Sequence, residues 1–288
     1  MFTAFLHAVD RKKIYRSSDA LREAASRTLP LSSNQIRNAT RGLVSVQGDS
    51  EKDREVVILM PRNSDSSVVL YVPGGGWVFP PRIFHWRFLA VLAHETNFSV
   101  HVALYPRAPT HTYNDVMGFL LPVYRELIVR AIPLIVMGDS AGGNIALSLL
   151  LRAREEGLPM PSRLVLMSPV VDLALSNPEM DQIEPRDPML AIAGLRAAAT
   201  WYAGNLSCED GRVSALRGPL AHLPRTQLFI GTNEILFPDN QLFREKALRE
   251  GVALDYHGAP EMMHVWPLMG FLPEARLARR QIAEFIES

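Results

Sequence analysis

The sequence is poor in cysteine and has no excess charge of either sign. Its 288 residues contain one cysteine, Cys208, which excludes an internal disulfide and a cysteine-based zinc cluster and fits a reducing compartment. Lysine and arginine together number 30, as do aspartate and glutamate. This balance predicts neither a basic face nor an acidic tail, so we expect a small, uncharged partner and no nucleic acid.

Long hydrophobic runs are also missing, because no stretch approaches the length of a membrane helix. An apolar stretch within residues 1–17 is too short for a signal peptide and is followed by charged residues instead of a small-residue cleavage site. We therefore expect a cytoplasmic protein without a membrane span. A chain of this length is long enough for one large α/β domain, or for one domain with a small cap.

The most informative segment covers residues 132–151, where a short apolar run enters a Gly-x-Ser-x-Gly pentapeptide and a helical apolar run leaves it. This order predicts a strand, a tight turn that carries Ser140, and a helix, with Gly138 and Gly142 keeping side chains away from the turn. A nucleophilic serine needs a base and a place for the oxyanion, and the amide of Ala141 is the natural first donor. The alternative is a chance pentapeptide in a loop.

A second glycine-rich segment, Pro-Gly-Gly-Gly-Trp at 73–77, follows an apolar run at 68–72. Its bare backbone amides would suit a loop that holds an oxyanion. A flexible turn is the structural alternative. The apolar strand before the glycines and the aromatic residues after them favour the functional interpretation.

Predicted strands and helices alternate along most of the chain. Strands at 43–46, 56–60 and 68–72 are expected to form an antiparallel edge that leads into the sheet. Further strands are predicted at 98–104, 134–137, 164–167, 227–230 and 253–257, and helices at 83–96, 113–129, 140–156, 190–202, 239–250 and 273–286. This order is typical of a mostly parallel sheet with helices on both faces. The edge strand at 253–257 is one place where a homodimer could pair.

In this architecture the reactive side chains come from the carboxyl ends of strands, in the order serine, acid and histidine. Glu234 follows the strand at 227–230, which is where the acid belongs. Asp239 is the main rival, but its place at the start of a helix is explained by capping. We therefore favour Glu234 as the acid.

Three histidines follow Ser140 in the chain. His222 precedes its strand and would lie at the wrong end, and His257 ends a strand and could be structural. His264 lies in a loop from which it could reach Ser140. We predict that His264 takes and returns the Ser140 proton while Glu234 orients the imidazole ring.

These residues together resemble the hormone-sensitive-lipase-like carboxylesterases of the α/β-hydrolase fold, from about residue 43 onward. The Gly-Asp-Ser-Ala-Gly-Gly-Asn segment at 138–144 matches, at every position, the family's nucleophile elbow, which is the sharp strand-to-helix turn that carries the serine. The glycine loop looks like the family's His-Gly-Gly-Gly loop, whose second and third glycines, here Gly75 and Gly76, donate amides to the oxyanion. The segments at 231–236 and 263–264 are similar to the family's acid and histidine loops.

The resemblance implies a cofactor-free, metal-free enzyme that hydrolyses mostly short-chain acyl esters beneath a cap. The cap would comprise residues 1–40 and 172–215 of a single domain that spans residues 1–288. Pro73 replaces the histidine that helps to hold the family's glycine loop in shape, and a proline has no hydrogen-bond donor. The resemblance therefore leaves open how the glycine loop is held in this chain. Glu234 stands where the family usually has aspartate, which the fold tolerates.

We expect a serine carboxylesterase that cleaves short- to medium-chain acyl esters through an acyl-enzyme intermediate. Its catalytic residues would be Ser140, Glu234 and His264. Two alternatives stay open. One is a non-catalytic binding protein for small molecules on the same scaffold, an interpretation that Pro73 sustains, and the other is an amidase or lactonase with the same triad.

Overall fold

Eight strands form one sheet at the centre of the described chain. The computed structural model describes residues 11–48, 54–130 and 133–288. The strands are β1 (Val44–Gln47), β2 (Glu55–Pro61), β3 (Val68–Val72), β4 (Ser99–Leu104), β5 (Leu134–Asp139), β6 (Arg163–Met167), β7 (Arg225–Gly231) and β8 (Leu254–Ala259). Their order in the sheet is β1-β2-β4-β3-β5-β6-β7-β8. β1 pairs with β2, and β2 with β4, in antiparallel fashion, and the pairs from β4–β3 to β7–β8 are parallel.

The predicted antiparallel edge is confirmed for β1 and β2 but is wrong for β3, which lies inside the sheet and runs parallel to β4 and β5. The physical reason is that all five residues of β3 are apolar and buried, as in a strand covered on both faces. Successive side chains point to opposite faces, so Leu70 and Val72 enter one apolar layer and Val69 and Tyr71 the other.

Helices cover both faces of this sheet. The α-helices of the described ranges are α1 (Ser18–Arg27), α2 (Ser33–Thr40), α3 (Ile83–Thr96), α4 (Tyr113–Arg130), α5 (Ser140–Glu155), α6 (Glu179–Ile183), α7 (Ile192–Ala203), α8 (Phe237–Arg249) and α9 (Pro273–Glu287). Local signals set their ends: a capping box between Ser32 and Gln35 starts α2, just after Pro30. The predicted fold class is confirmed.

The segment before β1 is divided between two places. The short 3₁₀ helix Arg11–Tyr15 and α1 pack against α7, where a Cβ on Gly194 would come within 2.3 Å of the carbonyl oxygen of Tyr15. Helix α2 instead packs against α3 and β1, in the other apolar layer. Residues 1–10 of the predicted cap lie outside the described residues.

The last strand in the sheet order, β8, is the edge strand predicted near the C-terminus, and its residues are half-buried or exposed. A homodimer that pairs along this edge stays a prediction. Among the described helices none is both long enough and apolar enough to cross a membrane. The cytoplasmic location likewise stays a prediction.

Candidate active site

Ser140 lies on a strained turn between β5 and α5. Its φ of +52° is a left-handed value that a non-glycine residue adopts only at a cost. The flanking glycines make room for the turn. A Cβ on Gly138 would lie 2.5 Å from the carbonyl oxygen of Gly142, and a Cβ on Gly142 would lie 2.1 Å from the carbonyl oxygen of Val72. The backbone therefore requires both glycines of the Gly-x-Ser-x-Gly pattern.

The imidazole of His264 joins Ser140 to Glu234. Its Nε2 lies 2.8 Å from Oγ of Ser140, and its Nδ1 lies 2.5 Å from Oε2 of Glu234. A carboxylate can only accept, so the ring proton belongs on Nδ1, and Nε2 accepts from the serine hydroxyl. All three side chains are buried. The structure thus brings together Ser140, His264 and Glu234, the three residues predicted to be catalytic.

Carboxylates around His264 favour its protonated form. Burial alone would lower the pKa of His264, but the charge and hydrogen bond of Glu234, together with the charges of Asp187 and Asp139, raise that pKa above its usual value. A ring in this setting is a stronger acceptor for the proton of Ser140, which is what a general base needs.

The rival residues have other partners. Oδ1 of Asp239 accepts a hydrogen bond of 2.9 Å from Asn177. The ring of His257 stacks on Phe229, with centroids 4.5 Å apart. His222 is exposed in a turn. The acid and the histidine favoured from the sequence are therefore the ones that the fold brings to the serine.

The glycine loop after β3 makes a tight turn beside Ser140. The N–H of Phe79 donates to the carbonyl oxygen of Gly75 over 2.9 Å. The φ values of Gly75 and Gly76 are +142° and +57°, which favour glycine. Both glycines line the cavity that contains Ser140, and Ala141 follows the serine in the first turn of α5. Amide donors to an oxyanion would need this arrangement.

Pro73 lacks a donor, yet the loop is fixed on both sides of the Pro73–Gly74 bond. The hydroxyl of Tyr105 donates to the carbonyl oxygen of Pro73 over 3.0 Å. The N–H of Gly74 donates to Oδ1 of Asp139 over 2.7 Å. Backbone groups of the loop are therefore bonded to side chains from elsewhere, which answers how the loop is held without the histidine.

A cavity of about 250 Å³ opens beside Ser140. Arg82 and Thr28 contribute to its lining, but most of the wall is apolar. The apolar lining residues are Ile14, Tyr15, Phe79, Phe84, Met189, Leu190 and Val265. Such a pocket suits a small, largely apolar group placed next to a few polar ones.

Known proteins resemble this chain in sequence and in fold. The profile of a family described as alpha/beta hydrolase fold matches residues 69–268. The chain belongs to the α/β-hydrolase family. An esterase of Acinetobacter venetianus is 34% identical to this hydrolase over 230 residues, which is 78% of this chain and 76% of that relative. An acetyl-hydrolase of Streptomyces hygroscopicus is 28% identical over 232 residues, covering 79% and 78% of the two chains.

Solved structures agree with the fold of this hydrolase. A hormone-sensitive lipase from a metagenome library superimposes with a TM-score of 0.83 at 23% identity, covering 99% of this chain and 97% of that chain. At that identity the likeness concerns the fold. With the family match, these relatives confirm the resemblance predicted from the elbow and the glycine loop.

Ser168 is a residue of the hydrolase site that sequence reasoning missed. Its hydroxyl donates to Oε1 of Glu234 over 2.7 Å and accepts from the N–H of Val265 over 3.1 Å. A signal for it existed, because Ser168 directly follows β6, at the end of the sheet where α/β folds carry their reactive groups.

Asp187 is a second missed residue, and it joins the cavity wall to the loop that carries Glu234. Its carboxylate accepts from the N–H groups of Met189, Leu190 and Ile235 at 2.8, 2.9 and 2.9 Å. Burial raises the pKa of Asp187 to about 6, although these hydrogen bonds oppose the rise. Nothing in the local sequence separates this aspartate from an exposed one.

Proposed function

We propose that this carboxylic ester hydrolase is a serine esterase that cleaves short- to medium-chain acyl esters through an acyl-enzyme intermediate. The observation that carries the proposal is the continuous contact from Ser140 Oγ through the His264 ring to Glu234, next to an apolar cavity. Nucleophile, base and orienting acid are the three parts that such a mechanism requires.

Acylation begins when Oγ of Ser140 attacks the ester carbonyl carbon and Nε2 of His264 takes the hydroxyl proton. The carbonyl oxygen becomes an oxyanion, to which the amides of Gly75, Gly76 and Ala141 donate. Collapse of this intermediate breaks the bond to the alcohol oxygen. His264 then returns the proton to the departing alcohol.

Deacylation repeats these steps with water. A water molecule attacks the acyl carbon while His264 removes one of its protons, and the bond to Ser140 Oγ breaks. The proton passes from His264 to Ser140, and the carboxylic acid leaves. Glu234 stays ionised throughout and stabilises the imidazolium.

The size of the cavity supports the shorter end of the acyl range. A volume of about 250 Å³ lies just below the usual range of small-molecule pockets, about 300–1,000 Å³, so a long acyl chain would extend out of the cavity. Tyr15, Met189 and Leu190 come from the two segments predicted to form the cap, residues 1–40 and 172–215, and they border the cavity. We infer that these segments limit the length of the acyl group.

Release of p-nitrophenol from acetyl, butyryl, octanoyl and palmitoyl esters tests the proposal. We expect the rate to be highest for the short chains and to fall by roughly four orders of magnitude or more in Ser140→Ala. The circular dichroism spectrum of the variant should match that of the wild type. Intact-protein mass spectrometry during turnover should also detect the acyl group on the wild-type chain only.

Two results would contradict the proposal. Turnover retained in folded Ser140→Ala would exclude Ser140 as the nucleophile. Absence of turnover in the folded wild-type protein, on amides and lactones as well as esters, would instead favour a binding protein on this scaffold.

A further inference from the structure

A buried carboxylate lies behind the glycine loop. Oδ1 of Asp139 accepts from the Gly74 N–H over 2.7 Å and from the Tyr71 hydroxyl over 2.5 Å. Its Oδ2 lies 3.2 Å from Nε2 of His85, on α3. Asp139 and His85 are 2% and 3% exposed, and both also line the cavity beside Ser140. Asp139 also precedes Ser140, so one side chain links the nucleophile's strand to the loop.

The contacts of His85 define its tautomer. The N–H of Arg82 points at Nδ1 over 2.9 Å, so Nδ1 accepts and the ring proton belongs on Nε2. Nε2–H then donates to Asp139. Nδ1 also lies 3.3 Å from the Arg82 carbonyl oxygen, but a hydrogen bond there would need the proton on Nδ1. Nε2 of His85 and Oδ2 of Asp139 would then face each other as two buried acceptors without a proton between them.

Asp139 is ionised in this setting. Burial alone would raise the pKa of Asp139, but the interaction with His85, together with the hydrogen bonds of Tyr71 and Gly74, lowers it. Asp139 also lies very close to the loop, since a Cβ on Gly74 would come within 2.2 Å of its Oδ2. A shift of this carboxylate would therefore shift Gly74.

We propose that His85 is a positioning residue for the glycine loop, an inference that rests on the proposed esterase function. By donating to Oδ2, His85 holds Asp139 in the orientation in which Oδ1 binds the Gly74 N–H. That bond sets the amides of Gly75 and Gly76 beside Ser140. A histidine on α3 thereby contributes to holding a loop whose own first residue is a proline.

Two substitutions separate the two hydrogen bonds of the ring. His85→Asn keeps an acceptor at the position of Nδ1 for the Arg82 N–H but cannot reach Asp139. His85→Gln places an amide N–H the same number of bonds from Cβ as Nε2, so it can still donate to Asp139. The matched control is His94→Asn, because His94 is exposed on the same helix.

We expect kcat for p-nitrophenyl butyrate to fall roughly 10-fold or more in His85→Asn, with little change in KM, since a misplaced oxyanion donor acts in the transition state. His85→Gln should recover most of this loss, and His94→Asn should behave as the wild type. Equal kcat values in His85→Asn and His85→Gln would overturn the inference, because only His85→Gln can still donate to Asp139.

A second readout does not depend on activity. Pro73–Gly74 is the only proline–glycine pair in the sequence, so labelling with carbonyl-¹³C proline and ¹⁵N glycine gives one cross-peak, that of the Gly74 amide, in an HNCO spectrum. In deuterated water the hydrogen-exchange rate of the Gly74 amide should be at least about 10-fold higher in His85→Asn than in the wild type. In His85→Gln the same amide should exchange more slowly than in His85→Asn.

The two readouts distinguish failure of the inference from failure of the proposed function. A wild-type protein that hydrolyses no ester would contradict the esterase proposal, and the Gly74 amide would still test whether His85 holds the loop. An active wild type in which neither kcat nor Gly74 exchange responds to His85→Asn would contradict the inference alone. A fall in melting temperature with unchanged Gly74 exchange would assign His85 a merely structural role and would also contradict it.

Discussion

Ser168 binds the side of the Glu234 carboxylate that faces away from His264. Its hydroxyl donates to Oε1, while Oε2 contacts the imidazole, and Gly231 N–H adds a second donor to Oε1 at 2.9 Å. Ser168 also accepts from Val265, the neighbour of His264 in the chain. One hydroxyl at the end of β6 thus fixes the acid loop and the histidine loop relative to each other.

Ser168→Ala should weaken both stability and catalysis. It removes one donor from a buried carboxylate and leaves the Val265 N–H without its acceptor, so we expect a loss of about 1–3 kcal/mol in the free energy of unfolding. We also expect a lower kcat, measured by p-nitrophenol release. Ser162→Ala, at a half-buried serine just before β6, is the control. Unchanged kcat in Ser168→Ala would contradict the positioning role of the hydroxyl.

Glu234→Gln should reduce kcat far more than Asp239→Asn. An amide cannot hold the His264 tautomer that accepts the serine proton, and comparable substitutions reduce kcat by roughly 10⁴-fold. Asp239 bonds to Asn177 instead, and burial raises its pKa to about 6, so neutralising Asp239 should be tolerated. Steady-state kinetics of the two folded variants would measure the difference. A larger loss in Asp239→Asn would reverse the assignment of the acid.

The acid limb of the pH–rate profile should report the raised pKa of His264. The base must be neutral to accept a proton, so activity should fall as the pH drops through a value above the ordinary histidine pKa of 6.5. Asp187 favours the imidazolium, so Asp187→Asn should lower the pKa of His264 and move the acid limb to lower pH. Profiles of kcat/KM would measure the shift.

Asp255→Asn is the control for this profile. Asp255 pairs with Arg225 across β7 and β8, and it is not one of the carboxylates named above that raise the pKa of His264. An acid limb that moves equally in both aspartate variants, or that moves upward in Asp187→Asn, would contradict the electrostatic account.

Patterns with a local cause could be predicted from the sequence. Helix α3 has the predicted bounds, and the strand–turn–helix around Ser140 follows from glycines that the backbone needs for close approach. The position of β3 was not predictable in the same way. A short apolar run is compatible with an edge or a central strand, and only long-range pairing with β4 and β5 decides between them.

The residues that support the site were harder to find. Ser168, Asp187 and His85 each bind a residue that lies 48 or more positions away in the chain, and each is a common residue type outside any motif of fixed spacing. The contacts that join Glu234, His264 and Ser140 could be predicted because chain order and strand ends constrain these positions. Of the three supporting residues, Ser168 shares the strand-end position, directly after β6, whereas Asp187 and His85 do not follow a strand.

Two helical glycines offer a test of how tightly the elbow is packed. A Cβ on Gly142, in α5, would lie 2.1 Å from the backbone carbonyl oxygen of Val72, whereas a Cβ on Gly118, in α4, would meet nothing within 4 Å. We expect Gly142→Ala to destabilise the protein by about 3 kcal/mol or more, because β3 or α5 must move. Gly118→Ala should stabilise it by about 0.5–1 kcal/mol through helix propensity and reduced freedom of the unfolded chain.

Urea unfolding followed by circular dichroism would measure both changes. Because β3 leads directly into the glycine loop, a displacement of Val72 would also move Gly75 and Gly76, so any folded Gly142→Ala should lose kcat for p-nitrophenyl butyrate. Gly118→Ala should retain it, since α4 contributes no residue to the cavity lining. Equal stability of the two alanine variants would mean that α5 can move away from β3 at little cost. The turn that carries Ser140 would then not hold its side chain in a fixed position relative to the glycine loop.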